Sequence, residues 1–127
     1  MRHPLLLVYE GDRRLAVFLG KAVEEHGWVL REPRQAEACL RLLRQGGPAV
    51  LVIRLGRDLE RELNLLERTG WLFPDVATIV VGEAAHESVV GLAWDLGASY
   101  VLLPTTPREL LPEIVTGLMN QSLVPGT

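Results

Sequence analysis

Pro48-Ala49-Val50-Leu51-Val52-Ile53-Arg54 runs through five apolar residues after its proline and then stops at a guanidinium. An unbroken apolar run bounded by turn residues, here Gly46-Gly47 before and Gly56 after, reads as a strand buried on both faces of a parallel sheet. In open α/β sheets, ligands and chemistry gather at the carboxyl ends of the strands, which is where Arg54 falls. An arginine there keeps its proton, cannot serve as a nucleophile, and offers five donors and no acceptor. The residue therefore calls for a carboxylate partner.

Working outward, short apolar runs alternate with helical periods. Leu5 to Tyr9 reads as a first strand; Leu15, Phe18, Leu19, Ala22, Val23 and His26 follow at helical spacing, with Gly27 placed to stop the helix. Trp28 to Glu32 is a short second strand ended by Pro33, and Ala36, Cys39, Leu40 and Leu43 form one face of a second helix. After the third strand, Arg57 to Thr69 carries Leu59, Leu63 and Leu66 at helical spacing, and Gly70 to Asp75 reads as a loop. Val76 to Val81 is a fourth strand, His86 to Leu96 a fourth helix closed by Gly97, and Tyr100 to Leu103 a fifth strand closed by Pro104. Thr106-Pro107-Arg108-Glu109 has the form of a capping box, Pro112 is expected to kink the last helix, and Asn120 to Thr127 to fray. Parallel strands need crossover connections, and these are right-handed, so five such units give a doubly wound parallel sheet of expected order 2-1-3-4-5.

Composition bounds the rest. The 127 residues suit one domain, and 48% hydrophobic with 23% charged residues is ordinary for a globular chain. A net charge of -3 with scattered arginines gives no nucleic-acid footprint. One cysteine, Cys39, excludes an internal disulfide framework and a multi-thiolate metal site, fits a reducing cytosol, and reads as core. The start, Met1-Arg2-His3-Pro4 then Leu5 to Val8, is too short for a secretory or membrane-spanning segment. His3, His26 and His86 lack ligand spacing. Glu10-Gly11-Asp12-Arg13-Arg14 lacks the glycines of a dinucleotide loop, and no Gly-Lys-Ser/Thr phosphate loop occurs, so no cofactor is expected.

From Leu5 through about Met119 the chain resembles the receiver (CheY-like) domains of bacterial response regulators. The likeness rests on the element order, on Leu6-Leu7-Val8-Tyr9-Glu10, on Pro48 to Arg54, on Ala93-Trp94-Asp95-Leu96-Gly97-Ala98-Ser99-Tyr100 and on Leu103-Pro104. It implies a flavodoxin-like fold over residues 1–119, a tail over 120–127, and a place in a two-component phosphorelay. The family holds Mg²⁺ with an acidic pair after strand one and is phosphorylated on an aspartate ending strand three. A Thr or Ser after strand four and a lysine after strand five sense the phosphoryl group. By resemblance those places fall here on Tyr9 and Glu10, Arg54, Gly82 and Leu103, which makes the pocket a degenerate one. Asp12 is near enough to lend a second carboxylate, although capping of the first helix is the favoured reading. Asp58 is expected to serve a helix dipole.

Exchanging a carboxylate for a guanidinium moves such a pocket by two charge units, and a unit pair about 4 Å apart is worth about 4 kcal/mol at an effective dielectric of about 20. Mg²⁺ seeks carboxylates, so Arg54 is expected to take the metal's electrical place and pair with Glu10. The plainer alternative for Arg54 is a solvated strand end. With no metal and no acyl phosphate expected, what remains is a surface. By resemblance, Val90, Trp94, Tyr100 and Leu102 fall on the face of helix four, strand five and helix five through which receivers meet partners or each other. The expected role is a non-catalytic module that binds a protein partner or itself, without nucleic acid or membrane. A second reading is a sensor of anionic small ligands, with Arg54 in a pocket lined by Tyr9, Gly82 and Leu103. An enzyme is disfavoured, because no nucleophile–base pair is visible.

Overall fold

The run Ala49–Arg54 forms strand β3 and lies at the centre of the sheet. The computed structural model describes residues 3–82, 88–103 and 105–123. Within them the order is β1 (Leu5–Tyr9), α1 (Arg14–His26), β2 (Val29–Arg31), α2 (Ala36–Leu43), β3, α3 (Leu59–Leu72), β4 (Ala77–Val81), α4 (Val90–Asp95), β5 (Tyr100–Leu102) and α5 (Leu111–Leu123). All strand pairs are parallel and the sheet order is β2-β1-β3-β4-β5, as the sequence reading expects. β3 pairs with both β1 and β4, placing Tyr9 opposite Ile53 and Arg54 opposite Val81.

The alternation of side chains along β3 divides the interior in two. Leu51 and Ile53 face α2, α3 and α4 through Cys39, Leu40, Leu65, Leu66, Val90 and Ala93. Val50 and Val52 face α1 and α5 through Leu15, Leu19, Leu111, Val115 and Met119. Both faces are dry, so β3 has no polar position until Arg54, its first residue that is not fully buried. Among the described residues no helix is long and apolar enough to cross a membrane.

Several local expectations are corrected. α3 does not stop at Thr69 but runs through Gly70 and Trp71 to Leu72, ending where Pro74 disfavours helical backbone at Phe73. Its buried stripe is Glu62, Leu65, Leu66 and Thr69, while Leu59 and Leu63 are only partly covered. The capping box at Thr106 to Glu109 does not form. Pro107 is extended, no side chain caps it, and a 3-10 turn over Arg108–Leu110 leads into α5. Pro112 does not kink α5, because it is the second helical residue and its missing N–H falls among those without an intrahelical acceptor. α5 continues past Asn120 to Leu123, so the expected tail boundary at 119/120 lies inside a helix. β2 and β5 are three residues each. α4 is shorter than expected, and His86, like Pro104, lies outside the described residues. Gly27 stops α1 as expected, with φ 68°, a left-handed conformation that glycine adopts freely.

Leu51 has no exposed surface and sits mid-strand between two sheet neighbours. Leu51→Ala is predicted to lower stability by about 2–5 kcal/mol, read as an earlier urea midpoint at unchanged slope.

Candidate functional site

The carboxyl ends of β1 and β3 bring Glu10, Asp12 and Arg54 together, with both acids serving the start of α1 and both facing Arg54. Glu10 leaves the end of β1 and turns onto the start of α1, where its two carboxylate oxygens accept the N–H groups of Leu15 and Ala16 at 3.0 Å each. It is the helix cap, and Arg13, at the capping position itself, contributes no side-chain bond. Asp12, expected to cap, accepts the N–H of Arg14, the first residue of α1 (3.0 Å), and on the same Oδ1 also Arg54 Nη1 at 2.8 Å. The expected Arg54–Glu10 pairing is present as the longer contact, 3.9 Å. Asp12 serves the first N–H of α1 together with Arg54, while Glu10 takes the next two N–H groups of the helix.

Burial pushes the Glu10 carboxyl above its ordinary value, while the helix N–H groups and Arg54 pull the other way. Asp12 is held below its ordinary value, first by the Arg14 N–H and also by Arg54. Arg54 is one-fifth exposed and Glu10 nearly buried, so the guanidinium closes over the deeper carboxylate from the solvent side.

Two neighbours fix the loop after β3. Glu62, a single acid on the buried stripe of α3, accepts the N–H groups of Gly56 (3.0 Å), Arg57 (3.3 Å) and Asp58 (3.3 Å). Arg57 reaches across to donate to the Gly11 carbonyl at 3.0 Å. A Cβ on Gly11 would sit 2.7 Å from Arg57 Cδ, so glycine leaves the room for this crossing. Asp58 caps α3 by accepting the Arg61 N–H, in keeping with its expected dipole role. The only described lysine or arginine beyond Arg68 is Arg108, whose Nη2 donates to the Gly82 carbonyl at 3.1 Å. That isolation in sequence was the available signal for it. For Glu62 the signal was an acid on an apolar helical period.

The expected pocket lining is corrected. Among the described residues the cavity against Arg54, about 420 Å³, is lined by Gly11, Asp12, Arg54, Leu55, Gly56 and Arg57. Tyr9 instead packs beside the α2/α3 core and faces a neighbouring cleft. Gly82 N–H is bonded to the Leu102 carbonyl, and Leu103 points outward. Cys39 is buried as expected, its thiol pushed up to about 12 by desolvation, which makes it inert. Among the described residues no three or more His, Cys, Asp and Glu side chains gather as a metal-holding group.

Of the four residues expected on the partner face, two are interior. Val90 belongs to the inner stripe of α4 and packs in the α2/α3/α4 core; Leu102 packs against the α1/α5 side. Trp94 and Tyr100 are exposed (47% and 37%) and meet edge to face, their centroids 6.2 Å apart.

The chain matches no protein-family model. It is similar to solved response-regulator structures. A response regulator from Thermotoga maritima is 20% identical over 94% of this chain and 99% of that one, with a TM-score of 0.74. A CheY-like receiver domain from Methanospirillum hungatei is 19% identical over 98% and 100%, also at 0.74. NtrX from Brucella abortus is 14% identical with a TM-score of 0.75, and this chain covers 97% of itself but 28% of that longer chain. The chain thus has the fold of receiver domains.

The lowered Asp12 carboxyl carries a pH signature. In the folded chain it stays ionised to lower pH than when unfolded, so its contribution is complete above the ordinary value of 3.8 and is lost as pH falls through the folded value. Asp12→Asn is predicted to be less stable than the wild type above pH 3.8 and to converge with it below, in urea unfolding across the acid range. A gap independent of pH would contradict the pairing.

Proposed function

We propose that this chain is a receiver-like signalling module that works without phosphorylation, through contact with a protein partner or a second copy of itself. The observation that carries the reading is the 2.8 Å contact of Arg54 Nη1 with Asp12, with Glu10 at 3.9 Å. A guanidinium at the end of the central strand has no nucleophilic atom to phosphorylate. It also supplies the positive charge that a divalent cation would otherwise bring to these carboxylates. Glu10 is further committed to the start of α1, which leaves it few free lone pairs for a metal. The neighbouring positions fit the same reading: Gly82 has no hydroxyl, and Leu103 no amine, with which to sense a phosphoryl group.

The output surface in this reading is the exposed pair Trp94 and Tyr100 at α4 and β5. Aromatic side chains of this kind are enriched among residues that dominate binding energy. With no hydroxyl at position 82 to couple to it, Tyr100 is held in one arrangement rather than switched. The reading places the module in a two-component type of pathway as an adaptor or scaffold.

Incubation with acetyl phosphate and Mg²⁺ is predicted to leave the intact mass unchanged; a labile added phosphate would overturn the phosphorylation-independent role. Light scattering over a concentration series tests the face. Self-association present in the wild type and lost in Trp94→Glu supports a homodimer, whereas association unchanged by the substitution removes this face as the self-contact.

A further inference from the structure

A second recess lies on the α1 side of Arg54, about 270 Å³ in volume and lined among the described residues by Arg14, Leu15, Phe18, Arg54 and Arg108. Its composition is unlike that of the cavity over Gly11: three guanidiniums, two apolar side chains and no carboxylate in the lining. Arg14 is largely exposed and meets Asp12 only at 3.5 Å. Phe18, on the same side of α1, leaves 41% of its surface uncovered although Leu15 beneath it is buried. Arg108 enters from the turn before α5, anchored by Nη2 on the Gly82 carbonyl, while its Nη1 is buried and has no acceptor among the described residues. A charged donor shut away from water without an acceptor is unfavourable, so this guanidinium gains by turning toward an oxyanion in the recess it lines.

We infer that this recess binds a small organic oxyanion carried on an aromatic ring, the anionic group meeting Arg14, Arg54 and Arg108 and the ring lying on Phe18 and Leu15. Guanidiniums bind carboxylate and phosphate oxygens through paired N–H groups and stack on aromatic planes, so one set of side chains serves both halves of such a ligand. The volume, just under the roughly 300–1,000 Å³ of pockets for drug-sized ligands, selects a single ring. Arg54 and Arg14 also face Asp12 at 2.8 and 3.5 Å, so Arg108 brings the donor that most needs an anionic acceptor. The lining shares no residue with the Trp94–Tyr100 surface.

The test is an amide NMR titration of the full chain with phenyl phosphate, beside inorganic phosphate and benzyl alcohol as the charge and the ring alone. Saturable shifts centred on Arg14, Leu15, Phe18 and Arg108 are expected, with each half-ligand bound about tenfold or more weakly. Arg14→Gln, at an exposed position that leaves the fold intact, and Arg108→Gln are each expected to weaken phenyl phosphate about tenfold. No saturable shifts, shifts centred elsewhere, or affinity unchanged in both variants would overturn the site. Inorganic phosphate binding as tightly as phenyl phosphate would overturn the role of the ring.

Discussion

A guanidinium ending a strand that is dry on both faces cannot shed its charge and must be met by acceptors, and the surrounding loops are arranged to meet it. β3 is apolar from Ala49 to Ile53 because α helices cover the sheet on both sides. Arg54 is the first position at which the strand can carry a charge, and Asp12, from the loop after β1, provides the short contact. Parallel pairing of β1 with β3 puts Tyr9 level with Ile53, so the residues just beyond each strand arrive at one edge.

Around that contact the other carboxylates serve the backbone. Glu10 satisfies two N–H groups at the start of α1, and Glu62 satisfies three in the loop after β3. Each removes orphan donors that would otherwise face a buried environment. Arg57 then ties the two loops together through the Gly11 carbonyl. The carboxyl edge is thereby cross-linked by side chains.

Strand order and both core faces were legible because β-branched and leucine runs alternate with helical periods, and parallel pairing leaves few topologies. Arg54 was legible as the polar end of an apolar run. Its contact with Glu10 was legible from the two strand ends; that Asp12 makes the shorter contact was not, since the two acids are two residues apart and only the path of the chain into α1 sets their distances. Arg108 joins the edge from 54 positions away by number, and Val90 is turned inward by the packing of α4; neither follows from local spacing. Gly70 and Pro112 misled for the same reason. A glycine inside a well-packed helix costs only about 1 kcal/mol, and a proline in the first turn costs little.

The central claim is that the charge of Arg54 stands where a cation would. Thermal unfolding of the wild type and Arg54→Asp, each with and without millimolar Mg²⁺, tests it most directly. The account predicts no Mg²⁺ effect on the wild type and a Mg²⁺-dependent rise in Tm for Arg54→Asp, whose three carboxylates would then lack their cation. An equal Mg²⁺ response in both proteins would contradict it.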